Sequence, residues 1–143
     1  MQTEYLEHAN YTVKNLDRAI HFLTTALPSW HVRGGGERLR LGRMSRWVHV
    51  GNAHSYISLG DGGEGSTPAP FPSYDMGLKH LGIVVPSLEA VIARLAAAGY
   101  TVDHDGADHP FRKSVYYVEP DGLEYEFLEY LSTVESERND YTL

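Results

Sequence analysis

The chain has 143 residues, 42% of them hydrophobic, with a net charge of −7 and no cysteine, which suits a single domain and excludes disulfides, thiolate metal sites and cysteine nucleophiles. The acidic balance argues against a nucleic-acid partner held through phosphates. No run of about 18 apolar residues is present to span a membrane, and "MQTEYLEH" lacks the basic start and apolar core of a secretory signal; with no cysteine in the chain, the expected setting is the cytoplasm.

In chain order, the stretch "LEHANYTVKN" (6–15) predicts a strand after His8, closed by Asn15 as the N-cap of a helix. The helix follows in "LDRAIHFLTTAL", where Leu16, Ile20, Leu23 and Leu27 recur at helical spacing. "GGGE" (34–37) reads as a turn, without the strand–glycine–helix context of a phosphate loop. Strand-like runs come next, around 37–43, 46–50 and 54–60, and the basic stretch "RLRLGRMSR" (38–46) reads as the solvated side of alternating strands. His21, His31 and His49 stand outside any pattern. "GDGGEGSTPAPFPSYD" (60–75) has the composition of a linker.

The opening pattern then returns. "LKHLGIVVPS" (78–87) again carries a histidine into a strand and ends on a helix cap, Ser87. Leu88, Ile92 and Leu95 mark the second helix, and Gly99 is its stop. Strand-like runs follow around 100–104, 112–119 and 123–130, and "STVESERNDYTL" is a polar tail expected to fray. The chain therefore reads as an α+β protein of two βαβββ modules, about 5–60 and 77–131, with a linker of about 61–76 and a tail of 132–143.

Strand alternation assigns faces. Ala9, Tyr11 and Val13 would pack on the first helix, leaving His8 and Asn10 opposite; Leu81, Ile83 and Val85 would do the same in the second module, leaving His80. Tyr125 and Phe127 leave Glu124 and Glu126 opposite, and Ile57 and Leu59 leave His54, Tyr56 and Ser58. If the two sheets curl together, the faces away from the helices form an open, barrel-like pocket lined by His8, His54, His80 and Glu126. A lone inward carboxylate in such a place is costly without a cation, and Glu124 competes for the same role.

Paired βαβββ modules with a histidine on each first strand, together with "YYVEPDGLEYEFLEY" (116–130), resemble the vicinal oxygen chelate superfamily: glyoxalase I, type I extradiol dioxygenases and bleomycin-resistance proteins. The resemblance covers about residues 5–131. It implies a divalent metal held by His8, His80 and Glu126, with the fourth ligand place of many glyoxalases falling on Ser58. Serine is a poor ligand, so a two-histidine, one-carboxylate set with open positions remains, which suits Fe(II) and oxygen chemistry; Mn, Ni or Zn are the other candidates. "HPFRKSVYYVEPDGLEYE" (109–126) closely resembles the extradiol signature, although Ala107 departs from it. By that likeness His54 is the acid–base residue, Tyr116 bonds the substrate oxygen and His109 lines the pocket. The resemblance implies a dioxygenase that cleaves a catechol or similar vicinal diol and works as a homodimer. A glyoxalase I-like lyase and a non-catalytic binding protein of the bleomycin-resistance kind are the alternatives.

Overall fold

A computed structural model describes residues 3–65 and 73–143, so the middle of the expected linker lies outside the described residues. The chain divides into two compact units, Met1–Ser66 and Thr67–Leu143. Each is built as β–α–β–β–β and carries one four-stranded mixed sheet, as the repeat predicts.

In the first unit β1 (His8–Thr12) leads to α1 (Leu16–Ala26), whose start is held by the Asn15 side chain accepting the Arg18 N–H at 3.0 Å. The helix buries Leu16, Ala19, Phe22, Leu23 and Ala26. Ile20, expected in the stripe, is only half-buried, because the buried arc is centred one residue pair away on Ala19 and Phe22. Full burial of residues such as Phe22 and Leu23 contributes about 1.5–3 kcal/mol each. Then come β2 (His31–Arg40), β3 (Arg43–Gly51) and β4 (Tyr56–Gly60), arranged β1-β4-β3-β2 with β1 and β4 parallel.

Two expectations fail here. "GGGE" is not a turn: Gly34, Gly35 and Gly36 lie inside β2, paired with His49, Val48 and Trp47. The turn comes later, at Leu41-Gly42, both in the left-handed region with φ of 51° and 77°; that backbone matches the twist of a two-residue hairpin. The strand expected from residue 54 begins at Tyr56, so His54 sits in the preceding turn, where its N–H is held by the Asn52 side chain at 2.9 Å.

In the second unit β5 (His80–Val84) leads to α2 (Leu88–Ala97), capped by Ser87 accepting the Ala90 N–H at 3.2 Å. Gly99, at φ 90°, ends it as expected. β6 (His104–Asp105) is only two residues long, so the strand expected over 100–104 is displaced and shortened. β7 (Arg112–Val118) and β8 (Glu124–Tyr130) complete a sheet ordered β5-β8-β7-β6. The helix-side face is apolar: Tyr117, Tyr125 and Phe127 are fully buried with Leu95 and Val91. The tail is not frayed throughout. It forms α3 (Glu135–Arg138), with the Arg138 guanidinium 3.8 Å above the Tyr130 ring.

Candidate functional site

Alternation places the chemistry on the sheet faces away from the helices. In the second unit, the parallel register sets His80 beside Glu124 and Gly82 beside Glu126, and the antiparallel register sets Tyr116 opposite Glu126 and His104 opposite Tyr116. His80 Nε2 lies 3.3 Å from Glu126 Oε2. The Tyr116 hydroxyl donates to Glu126, and its ring meets His80 edge-on at 5.2 Å. Burial, then the charge of Glu126 and its hydrogen bond, push the Tyr116 phenol above its ordinary range, so it stays a donor at neutral pH. His104 stacks on the other side of Tyr116 at 4.3 Å, with Nδ1 2.7 Å from Asp103 Oδ2 and Nε2 3.9 Å from Glu124 Oε1. A cavity of about 230 Å³ opens among His80, His104, Tyr116 and Glu124.

The first unit repeats this register with other residues. His8 pairs with Tyr56 and Asn10 with Ser58, so Ser58 occupies the place of Glu126. His49, opposite Ser58, occupies the place of Tyr116. The rings of His8, Tyr56 and His49 are stacked, His8 to Tyr56 at 4.7 Å and His49 to Tyr56 at 4.4 Å, and Trp47 lies 5.1 Å beyond His49. His8 Nδ1 is 2.9 Å from Glu7 Oε1, and the Tyr56 hydroxyl bonds the same carboxylate. With Nδ1 engaged by a carboxylate, the His8 Nε2 lone pair is left for another partner, the arrangement that orients metal-binding imidazoles. Burial first, then the positive charge of Arg33, lowers the His49 pKa and keeps its ring neutral at pH 7.

His80 and Glu126 are spaced as two ligands of one divalent ion would be. Two ligands at about 2.1 Å from one metal, at tetrahedral to octahedral angles, lie about 3.0–3.4 Å apart; the His80–Glu126 separation of 3.3 Å is of that size. Among the described residues no three histidine, aspartate or glutamate side chains form a cluster able to hold a metal by themselves. The residues singled out in the sequence thus fall into two groups: His80, Glu126 and Tyr116 together in the second unit, and His8 with Ser58 in the first. His54 is exposed in its turn and does not line the first unit's cavity. His109 does not line the second unit's cavity; its Nε2 faces the Asp140 carbonyl at 3.0 Å and its Nδ1 accepts the Phe111 N–H at 3.1 Å, which ties it to the tail.

His49 and His104 were not singled out. "WVHV" signals the first, since buried Val48 and Val50 leave Trp47 and His49 on the opposite face. His104 had no such signal, because two residues of strand show no period.

The Glyoxalase/Bleomycin resistance protein/Dioxygenase superfamily model matches residues 5–127. The chain belongs to that superfamily. A glyoxalase family protein from Bacillus cereus shares the fold with a TM-score of 0.74 at 15% identity, covering 92% of this chain and 97% of that one. A glyoxalase/bleomycin resistance protein/dioxygenase domain from Frankia is 26% identical over 90% of this chain and 99% of its own, with a TM-score of 0.68. A variant of the fosfomycin resistance protein FosX from Listeria monocytogenes, complexed with Mn(II) and dihydroxypropylphosphonic acid, is 17% identical, with a TM-score of 0.67 over 94% and 98% of the chains. No curated protein is significantly similar to the chain in sequence.

Proposed function

We propose that this superfamily member is a divalent-metal-dependent oxidoreductase of the extradiol type, Fe(II) being its ion and a catechol or similar vicinal diol its substrate. The carrying observation is the asymmetry of one register position: Glu126 in the second unit, Ser58 in the first. His80 and Glu126 supply two strong donors, the superfamily resemblance adds His8 as the third, and Ser58 withholds a fourth. The ion, when bound, supplies Lewis acidity and one-electron chemistry toward dioxygen.

The chain's own residues do the rest. Tyr116 holds the Glu126 carboxylate by its O–H, and Glu7 holds the His8 ring by Nδ1. A catechol must lose a proton to chelate through both oxygens, and a neutral imidazole is the group to take it. The resemblance gives this task to His54; the first unit's cavity favours His49, whose ring lines it beside Ser58. A glyoxalase-like lyase lacks its fourth carboxylate here.

The test is anaerobic purification with metal analysis, followed by oxygen uptake with a panel of catechols. Iron at one equivalent per chain, with oxygen consumption and a coloured ring-fission product, is the expected result. Turnover of a methylglyoxal–thiol adduct without oxygen consumption would assign the chain to the lyases. Stoichiometric ligand binding without metal would make it a binding protein.

A further inference from the structure

β2 carries a feature that the metal chemistry does not use. On the face it shares with the first unit's cavity, the register sets Gly34 opposite His49, Gly36 opposite Trp47 and Arg38 opposite Ser45. Two successive positions beside two rings therefore have no side chain. Internal packing does not require this. A Cβ at Gly34 would meet nothing within 4 Å, and one at Gly36 would meet the Trp47 ring at an ordinary 3.5 Å; only Gly35, on the other face, is crowded, by the Trp47 carbonyl at 2.5 Å. Glycine inside a strand weakens it, and it often marks a place where a ligand approaches closely.

Charge marks the same face. Of the arginines around the β2–β3 hairpin, Arg43 pairs with Glu64 at 2.8 Å and Arg46 reaches Asp17 at 3.5 Å. Arg38 has no ion pair among the described residues and lines a cavity of about 270 Å³ with His8, Trp47 and His49. Arg33 is the extra residue of a β-bulge, between Val32 and Gly34, and its guanidinium lies 4.4 Å above the Tyr56 ring. Bulges re-aim side chains in this way beside binding sites.

We propose that this face binds an aromatic carboxylate, its ring resting against Trp47 and His49 in the space left by Gly34 and Gly36, and its carboxylate on Arg38. An aromatic floor accepts a planar ring by stacking, and a guanidinium fork matches a carboxylate in a way that a neutral catechol cannot use. The inference rests on the functional proposal for its consequence: the substrate class becomes a catechol bearing a carboxylate.

Binding is measured by calorimetry on the metal-free full chain, so that it reads independently of turnover. The probes are a dihydroxybenzoate with vicinal hydroxyls, benzoate and catechol. The dihydroxybenzoate is expected to bind at least about tenfold more tightly than catechol, the scale of one charge-assisted contact. Arg38→Gln should remove that preference and leave catechol binding in place, and Gly36→Val should weaken all three probes. Equal affinities in the unaltered chain, or a preference that survives Arg38→Gln, would overturn the proposal; the first comparison needs no variant to fold. Oxygen uptake separates the two claims. A carboxylate preference without oxygen consumption leaves this subsite standing and removes the dioxygenase, whereas oxygen consumption with no preference between catechols removes the subsite alone.

Discussion

Trp47 and His49 owe their position to the valines between and beyond them. Val48 and Val50 are drawn into the helix-side core, with Val50 fully buried, and the pleat turns their neighbours the other way. His49 thereby reaches the cavity from within β3, whereas His54 is held by an Asn52-centred turn beyond the strand's end. This contrast makes a prediction at the level of single side chains. His49→Phe should retain metal and lose at least about a hundredfold in turnover, the usual contribution of a positioned general base, while His54→Phe should stay near the unaltered rate. Paired measurements of metal content and initial rate check it; loss of turnover in His54→Phe alone would return the acid–base task to that residue.

At the scale of elements, the two units use one device twice: a strand histidine, a capped helix and a parallel return strand beside the first. The second unit adds a tie. Glu129, near the end of β8, accepts the Leu88 N–H at 2.8 Å, satisfying a first-turn donor of α2, and lies 3.4 Å from Lys113 Nζ. The backbone hydrogen bond and then Lys113 hold the Glu129 carboxyl below its ordinary pKa. A lowered native pKa means that the ionised form is the stabilising one. The contribution is therefore present above the ordinary carboxylate pKa and is lost as pH falls through the lower native value. Glu129→Gln should cost about 1 kcal/mol at pH 7, with the gap to the unaltered chain closing on acidification; denaturant titrations at neutral and acid pH measure it. α1 is capped locally, by the Arg18 N–H donating to the Asn15 side chain.

At the scale of the whole molecule, the proposed ligands come from both units: His8 precedes the first helix, and His80 and Glu126 flank the second. An ion bound by the folded chain and not by the unfolded one stabilises the fold by mass action. Free metal at about a hundred times its dissociation constant should stabilise the chain by about 2.7 kcal/mol, seen as a rise in Tm that a chelator reverses. His8→Ala should abolish that rise while leaving the metal-free Tm almost unchanged, because His8 is exposed. A metal-dependent rise that survives His8→Ala would show that the second unit holds the ion without it.

The amino-acid sequence by itself determined the duplication, the two capped helices, the face assignment of β1, β5 and β8, and superfamily membership. These are local matters: a period of two or of 3.6, a cap residue, a glycine stop. They also brought His80, Glu126 and Tyr116 to notice, because the second module keeps its strand pattern up to its turn. Tertiary structure alone decided that Gly34–Gly36 is strand, since a glycine run has no side-chain period and only pairing with β3 defines it. It likewise set His104 against Tyr116 across a two-residue strand, and tied His109 to the tail through a carbonyl thirty-one residues away. Contacts of that kind are made across strands and not along them, and a chain read in order does not display its neighbours in register.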